Sequence, residues 1–186
     1  MAITVDVVVG SPASDGGRLA QLALAEHLLV CRLANRICNR AVILLLVGVS
    51  RFGDWGLSAV AAMVLLALDG PRTVVLFVTA TGTGILVQKI LKHSYARTRP
   101  CERPDGPPQR APFPDRGSFP SGHTLHAVMA AVTVTALAPA AAPPFLLVAP
   151  VMAASRVILG VHYPSDVAAG AGLGAVLGAS VCLLVS

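Results

Sequence analysis

Residues 167–185, VAAGAGLGAVLGASVCLLV, form a run of nineteen residues without one charged side chain. About twenty apolar residues are enough for an α-helix to cross the hydrocarbon core of a bilayer, so this run predicts a spanning helix. It contains four glycines, at positions 170, 172, 174 and 178. Small residues let helices pack closely inside membranes. The run therefore predicts one member of a membrane-embedded helical bundle.

Other apolar runs precede this segment, at 41–49, 57–68, 74–91, 124–137 and 145–159. The stretch 50–54, between the first two runs, is expected to be a loop without an assigned role. We expect an all-α, integral-membrane bundle of about five spanning helices, some short enough to need tilt or support from neighbours.

The composition agrees with a membrane protein. Hydrophobic residues make up 55% of the 186 residues and charged residues 12%, with a mean hydropathy of +0.74. A soluble domain usually has about 25% charged residues, so the alternative is an unusually buried soluble helical bundle. The net charge of +5 comes without the basic and aromatic pattern of nucleic-acid-binding proteins. It indicates loop charges that set membrane topology and a site for an anionic substrate.

The chain is expected to form a single domain over residues 1–186, beginning with a loose tail at 1–17 and an amphipathic helix at 18–40. First spans at 41–91, a loop with site residues at 92–122 and the last three spans at 123–186 follow. In the amphipathic helix, basic residues recur every fourth position opposite an apolar stripe. The basic residues are Arg32, Arg36 and Arg40, and the stripe is Leu22, Leu29, Leu33 and Ile37. This pattern is typical of a helix in the membrane interface or of an ordinary surface helix packed on the protein.

Seven of the fourteen prolines lie between residues 100 and 120, which predicts an extended extramembrane loop. This proline-rich loop also contains Arg103, Arg110 and Arg116. We expect these arginines to widen the region from which an anionic substrate is attracted, without taking part in chemistry.

Three polar clusters lie at the ends of the apolar runs: KHSYARTRP at 92–100, PSGH at 120–123, and Ser155-Arg156 followed by His162 and Asp166. Lys92, Arg99 and Arg156 are cations with several donors, which suit a phosphate group. Ser121 is a natural helix N-cap, and Gly122 lets a ligand approach the backbone. The amides of a helix start favour an anion at that place.

His162 and Asp166 are four residues apart, at the predicted first turn of the last helix. A carboxylate at this spacing can accept the Nδ1 proton of His162 and leave Nε2 free to attack. His123 offers a second imidazole, suited to protonating a leaving oxygen. Taken singly, most of these residues have a simpler explanation as caps or interfacial anchors. Arg156 is the hardest to explain as a simple anchor, because a cation after an apolar span needs a partner or water.

Together the clusters resemble the type-2 phosphatidic acid phosphatase family, relatives of the vanadium haloperoxidases and bacterial acid phosphatases. The signatures Lys-x6-Arg-Pro, Pro-Ser-Gly-His and Ser-Arg-x5-His-x3-Asp match without departure between residues 92 and 166. The resemblance implies a membrane lipid phosphatase with His162 as nucleophile, Asp166 as its orienting partner and His123 as acid and then base. It also implies that phosphate is held by Lys92, Arg99, Arg156, Ser121 and Gly122.

The resemblance further implies that the enzyme uses no metal and no other cofactor. The expected substrate is a lipid phosphate monoester or diphosphate, such as a polyprenyl diphosphate, phosphatidic acid or phosphatidylglycerol phosphate. A lipid phosphotransferase with the same site, and a non-catalytic lipid- or anion-binding membrane protein, are the alternatives. His93 and His126 lie outside the signatures and are candidates for the border of the site. All three motifs are expected on one face of the cytoplasmic membrane, and either face is compatible with the sequence. The expected partners are the bilayer and its lipid phosphates, and no nucleic acid.

Overall fold

The computed structural model describes residues 15–113 and 117–186, and the described residues contain α-helices and no strand. The helices are α1 (Asp15–Arg36), α2 (Arg40–Leu68), α3 (Pro71–Tyr95), α4 (Gly122–Leu137), α5 (Ala142–Ile158) and α6 (Pro164–Val185). Short 3₁₀ turns occur at Pro100–Glu102 and Pro139–Ala141. The predicted all-α class is confirmed. Most of the predicted N-terminal tail, residues 1–14, lies outside the described residues.

Three segments are long and apolar enough to cross a membrane: Pro71–Glu102, Pro139–Ile158 and Pro164–Val185. Helix α2 reaches that length as two halves that meet at a bend of 54°. Helix α4 is a shorter apolar helix of 16 residues. The predicted membrane bundle is therefore confirmed. By length and composition three of the described helices, or four with the bent α2, can cross a membrane, whereas about five spans were predicted.

Residues 50–54 lie within α2, so the prediction of a loop there was wrong. Within this stretch Ser50 and Gly53 face the interior of the protein, whereas Arg51 and Phe52 are exposed. Ser50 is 4% exposed, and its hydroxyl accepts a hydrogen bond from Arg156 on α5. Gly53 packs so closely on Met152 that a Cβ at this glycine would overlap the methionine side chain. Ser50 and Gly53 therefore have partners inside the bundle, which is consistent with a helix that continues through this stretch.

The predicted helix at 18–40 is interrupted, because α1 ends at Arg36 and Arg40 already begins α2. Asn39 separates the two helices. Its side-chain oxygen accepts hydrogen bonds from the amides of Ala41 at 2.9 Å and Val42 at 3.4 Å, which caps α2. Arg40 therefore does not extend the basic face of α1.

The face of α1 that packs on the rest of the protein does not include Leu22 and Leu29. His27, Val30 and Ala34 are buried, whereas Leu22 and Leu29 are 64% and 45% exposed. An exposed leucine face on a helix outside the bundle suits contact with the lipid interface.

The proline-rich loop makes polar contacts with α1. Arg110 donates from Nη1 to the carbonyls of Ala34 at 2.7 Å and Ile37 at 3.0 Å, at the C-terminal end of α1. An Asp105 carboxylate oxygen lies 3.1 Å from Nε2 of His27 and the other accepts from Nε of Arg103 at 3.3 Å. Two of the loop arginines that were expected to attract substrate are thus bound within the protein. Arg116 lies outside the described residues.

Helix α4 is the centre of the bundle, since it packs against α6, α5, α2 and α3. Its contact with α6 is made by glycines one turn apart. A Cβ at Gly170 or Gly174 would overlap a backbone carbonyl of α4 or of the residue before it, and a Cβ at Gly178 would come within 2.9 Å of Val132. The predicted close approach holds for these three glycines. At Gly172 a Cβ would meet nothing within 4 Å, so this glycine faces away from the contact.

Candidate active site

The first motif begins inside a helix and not in a loop. Lys92 lies in the last turn of α3 and is 8% exposed. The helix ends at Tyr95, and the next residue, Ala96, has a left-handed φ of 42°. Arg99 follows and is 1% exposed. Its Nη1 donates to the Val161 carbonyl at 3.0 Å and lies 3.4 Å from Nε2 of His162, so the first motif contacts the third.

The second motif starts α4 against two other helices. The Ser121 amide donates to the backbone carbonyl of Asp166 on α6 at 3.0 Å. Ser121 occupies the predicted N-cap position, but its hydroxyl makes no cap bond among the described residues and instead pairs with the Thr124 hydroxyl at 3.0 Å. Gly122 packs on Gln88 of α3, where a Cβ would overlap the amide oxygen. A residue larger than glycine at position 122 would require the Gln88 side chain to move.

The third motif folds back on itself between α5 and α6. Arg156 lies in the last turn of α5, is 2% exposed, and donates to the Ser50 hydroxyl. Its carbonyl accepts from the amides of Val161 and His162, each at 3.2 Å. Gly160 makes this reversal possible, because its φ of 75° is a conformation that favours glycine. The turn brings His162 back beside the end of α5.

His162 and Asp166 form a buried pair, with side chains 2% and 0% exposed and Nδ1 3.6 Å from Oδ2. The distance is longer than a hydrogen bond, so the interaction is electrostatic. Because Arg99 can only donate, its approach to Nε2 assigns the imidazole proton to Nδ1, on the side of Asp166. Burial, opposed by Asp166 and assisted by the charges of Arg156 and Arg99, lowers the pKa of His162 to about 3. The ring is therefore neutral near pH 7, with a lone pair on Nε2.

His123 lies in the first turn of α4, within electrostatic reach of Arg156, His162 and Lys92. A Cβ on Gly53 would come within 3.2 Å of its ring. The three motifs therefore meet at one end of the bundle. The opposite end holds the α2–α3 turn, where Arg72 donates to the Leu184 carbonyl at 2.9 Å.

The two histidines outside the motifs have different surroundings. His126 is 9% exposed and packs beside Gly84 of α3, where a Cβ would lie 3.4 Å from its ring. His93 is exposed and lines a cavity of about 600 Å³ that Lys92 of the first motif also lines. The same cavity is lined by the basic residues Lys89, Lys92 and Arg97 and by the acidic Glu102, so basic side chains outnumber acidic ones on its wall.

Sequence reasoning missed a group of polar residues that surrounds Asp166. Arg97 donates from Nη1 to Oδ1 of Asp166 at 2.6 Å and to the Ser165 hydroxyl at 2.7 Å, and from Nη2 to Glu26 at 2.9 Å. Glu26, on α1, also accepts from the Ser165 amide at 2.8 Å. Arg97 occupies an unassigned position of the first motif, and Glu26 lies 71 positions before it. Ser50 was also missed, because it is far from Arg156 in the sequence and only the fold brings the two side chains together.

The site combines buried cations, an ionised carboxylate and two imidazoles, which together can hold a phosphate and attack it. Within residues 15–113 and 117–186, no three His, Cys, Asp or Glu side chains are grouped so that they could hold a metal ion.

Residues 73–186 match the family model described as the PAP2 superfamily. The decaprenylphosphoryl-5-phosphoribose phosphatase of Mycobacterium tuberculosis is 38% identical over 136 residues, which cover 72% of this chain and 75% of the relative.

Two solved structures share the fold. A transmembrane PAP2-type phosphatidylglycerolphosphate phosphatase from Bacillus subtilis is 22% identical, with a TM-score of 0.71, over 88% of this chain and 86% of its own. LpxE from Aquifex aeolicus is 24% identical, with a TM-score of 0.69, over 83% of this chain and 93% of its own.

Proposed function

Because this chain belongs to the PAP2 superfamily, we propose that it is a lipid phosphatase of the cytoplasmic membrane that forms a phosphohistidine at His162 and needs no metal. The proposal rests mainly on one observation. The buried imidazole of His162 has Nε2 beside the Arg99 guanidinium, at 3.4 Å, and Nδ1 beside the Asp166 carboxylate, at 3.6 Å. A neutral ring held between a phosphate-binding cation and a carboxylate is suited to nucleophilic attack on phosphorus.

In the first step the substrate phosphate lies among the cations of the site and the start of α4. The groups that hold its oxygens are the side chains of Lys92, Arg99, Arg156 and Ser121 and the amide of Gly122. Nε2 of His162 forms a bond to phosphorus while the bond from phosphorus to the leaving oxygen breaks. Protonated His123 gives its proton to that oxygen. Asp166 stabilises the positive charge that develops on the imidazole ring.

In the second step a water molecule replaces the leaving group. His123, now neutral, accepts a proton from the water as its oxygen bonds to phosphorus, and the bond between phosphorus and Nε2 of His162 breaks. Inorganic phosphate leaves, His162 is neutral again, and His123 carries the proton needed for the next cycle. The phosphoryl charge is neutralised throughout by arginine and lysine, which can supply the electrostatic stabilisation that metal ions give in other phosphatases.

We propose a polyprenyl-linked phosphate as the preferred substrate class. The mycobacterial relative, at 38% identity, is named for a phosphorylated sugar carried on a polyprenyl phosphate. Polyprenyl diphosphates, phosphatidic acid and phosphatidylglycerol phosphate share the same reacting group on a membrane anchor, and they complete the panel of substrates to compare.

The test is a measurement of released phosphate with the purified protein in detergent, over this panel, without any added acceptor alcohol. An alkaline quench during turnover followed by mass spectrometry should find phosphate on His162, since N-phosphohistidine survives alkali. His162→Ala should abolish both signals, because loss of a covalent nucleophile typically costs several orders of magnitude, about 10⁴-fold or more. Phosphate release that requires an added alcohol would point to a phosphotransferase, and activity retained by His162→Ala would refute the covalent mechanism.

Metal independence has its own test. Turnover should be unchanged after dialysis against a chelator and should be inhibited by vanadate, which adopts the five-coordinate geometry of in-line attack. Loss of activity on chelation that zinc or magnesium restores would overturn this part of the proposal.

A further inference from the structure

Arg97 and Glu26 lie behind the reacting pair, and the proposed mechanism uses neither of them. We infer that both are positioning residues: Arg97 holds the Asp166 carboxylate in the orientation that His162 needs, and Glu26 holds Arg97. The inference rests on the proposed role of His162 as nucleophile. It makes α1, which lies outside the apolar bundle, a working part of the site.

The side chain of Asp166 is 0% exposed, and its two oxygens have different partners. Oδ1 accepts from Nη1 of Arg97 at 2.6 Å, and Oδ2 accepts from the Tyr163 amide at 2.8 Å. Only Oδ2 faces Nδ1 of His162. With both oxygens bound, the carboxylate cannot rotate about its own axis. Arg97 therefore fixes the orientation of the carboxylate whose other oxygen faces Nδ1 of His162.

Arg97 itself has contacts with Tyr163, Ser165 and Glu26 in addition to Asp166. Its guanidinium carbon lies 4.1 Å from the centre of the Tyr163 ring, in cation–π contact. Nη1 also donates to the Ser165 hydroxyl at 2.7 Å. Nη2 donates to Glu26 at 2.9 Å, and Glu26 further accepts from the Ser165 amide and hydroxyl at 2.8 and 2.9 Å. A guanidinium with this many directional partners has one orientation.

The charges around Asp166 support the same roles for Arg97 and Glu26. When His162 carries a phosphoryl group its ring is positively charged, and Asp166 must remain ionised to stabilise it. Arg97, at 2.6 Å, keeps Asp166 ionised, but its own charge would oppose the cationic ring. Glu26 offsets that charge from the far side of the guanidinium. The pair therefore fixes the geometry of Asp166 while adding little net charge near the intermediate.

The experiment compares Arg97→Met, Arg97→Lys and Glu26→Gln in the purified full-length protein, measuring kcat, KM and the yield of alkali-stable phosphohistidine. Misplacement of a reacting group by an ångström typically costs about 10²-fold, so Arg97→Met should lower kcat by about that factor while KM changes by less than about threefold. Arg97→Lys keeps the charge and one donor and should recover part of the loss. Glu26→Gln should lower kcat by about tenfold or less, because Arg97 keeps its bond to Asp166.

Arg110→Met is the matched control, since Arg110 also fastens α1 but contacts only the carbonyls of Ala34 and Ile37. Its kcat should stay near that of the wild type. Adding Glu26→Gln to Arg97→Met should cause no further loss of kcat, because Glu26 acts through Arg97. An equal loss in Arg110→Met, or a rise in KM with an unchanged kcat in Arg97→Met, would overturn the inference.

The two proposals fail in different ways. If the wild type releases phosphate without a phosphohistidine, the proposed mechanism falls and this inference falls with it. If the wild type forms the phosphohistidine but Arg97→Lys and Glu26→Gln, both soluble and folded by thermal unfolding, retain full kcat, the positioning inference alone is wrong. These two conservative variants keep the test decisive even if Arg97→Met does not fold.

Discussion

The two imidazoles of the site have different surroundings, and these surroundings suit different tasks. His162 lies in the turn before α6, nearly inaccessible, between Arg99 and Asp166. His123 starts α4, is half-buried, and has the cations Arg156 and Lys92 within electrostatic reach. His162 lies beside a carboxylate that can support a positive ring, whereas His123 lies at the start of a helix, where we propose that it protonates the leaving group.

For His123 we predict an effect that depends on the leaving group. His123→Ala should slow hydrolysis of an alkyl phosphate by about 10²–10⁴-fold, because a general acid typically contributes that much. An activated aryl phosphate leaves without full protonation, so its rate should fall less. The measurement is kcat/KM for both esters in the wild type and the variant. Equal losses on the two esters would make His123 a binding group.

For His162 we predict a dependence of stability on pH. Burial, with Asp166 opposing it, lowers its pKa to about 3, whereas in the unfolded chain the pKa is about 6.5. Between these values the unfolded chain binds a proton that the folded chain does not, so stability is lost as the pH falls through 6.5. The Tm of the wild type in detergent should therefore fall between pH 7 and pH 5 more steeply than that of His162→Gln. Parallel curves for the two proteins would contradict this.

At the residue scale, spacing along the chain predicted the local relations and missed those made through space. His162 and Asp166 are one helical turn apart, which a sequence pattern can reveal. Arg97 and Glu26 are 71 positions apart, and they meet because α1 docks beside the start of α6, where Glu26 also accepts from the Ser165 amide. No periodicity in a single sequence encodes that docking.

At the scale of elements, the apolar helices were predictable and their breaks were not. Polar residues at 50–54 looked like a loop because polarity normally marks solvent, whereas Ser50 is buried against Arg156. Basic spacing through Arg40 suggested one long helix, whereas the side chain of Asn39 caps a new one. In both places a side-chain hydrogen bond decided the local structure, and its partner could not be read from hydropathy.

The glycine contact between α4 and α6 gives a prediction with an internal control. Gly174→Ala should lower the Tm, because the new methyl would overlap the Leu125 carbonyl, and overpacking of this kind costs about 1–3 kcal/mol. Gly172→Ala should cause no loss, since nothing lies within 4 Å of a Cβ there. Thermal unfolding of the two variants in the same detergent is the measurement. A similar Tm for both would mean that the helices do not approach as closely as described.

At the scale of the whole molecule, all three motifs lie at one end of a bundle whose sides are apolar. Leu147 and Leu183 are 69% and 79% exposed, as expected of surfaces that face lipid. We therefore expect the reacting phosphate to lie at the depth of the lipid head groups, on the side of the cavity of about 600 Å³ lined by Lys89 and Lys92. The hydrocarbon tail of the substrate can stay in the bilayer while its head group reacts.

We therefore predict that kcat/KM rises with the length of the lipid tail. Binding energy from the tail helps to position the phosphate, so a short soluble ester with the same head group should react less efficiently than its long-chain counterpart in mixed micelles. A homologous series of chain lengths, assayed at fixed detergent concentration, measures the effect. Equal efficiency across the series would refute lateral entry from the bilayer.

Helices α4 and α6 touch along Gly170, Gly174 and Gly178, although α5 lies between them in the chain. A ribosome therefore delivers His123 to the membrane well before it has made His162 and Asp166. Until α6 is inserted, the glycine contact with α4 is not formed, and the residues proposed as acid and nucleophile are not yet in one site. We therefore expect a chain that stalls before α6 to lack the proposed phosphatase activity.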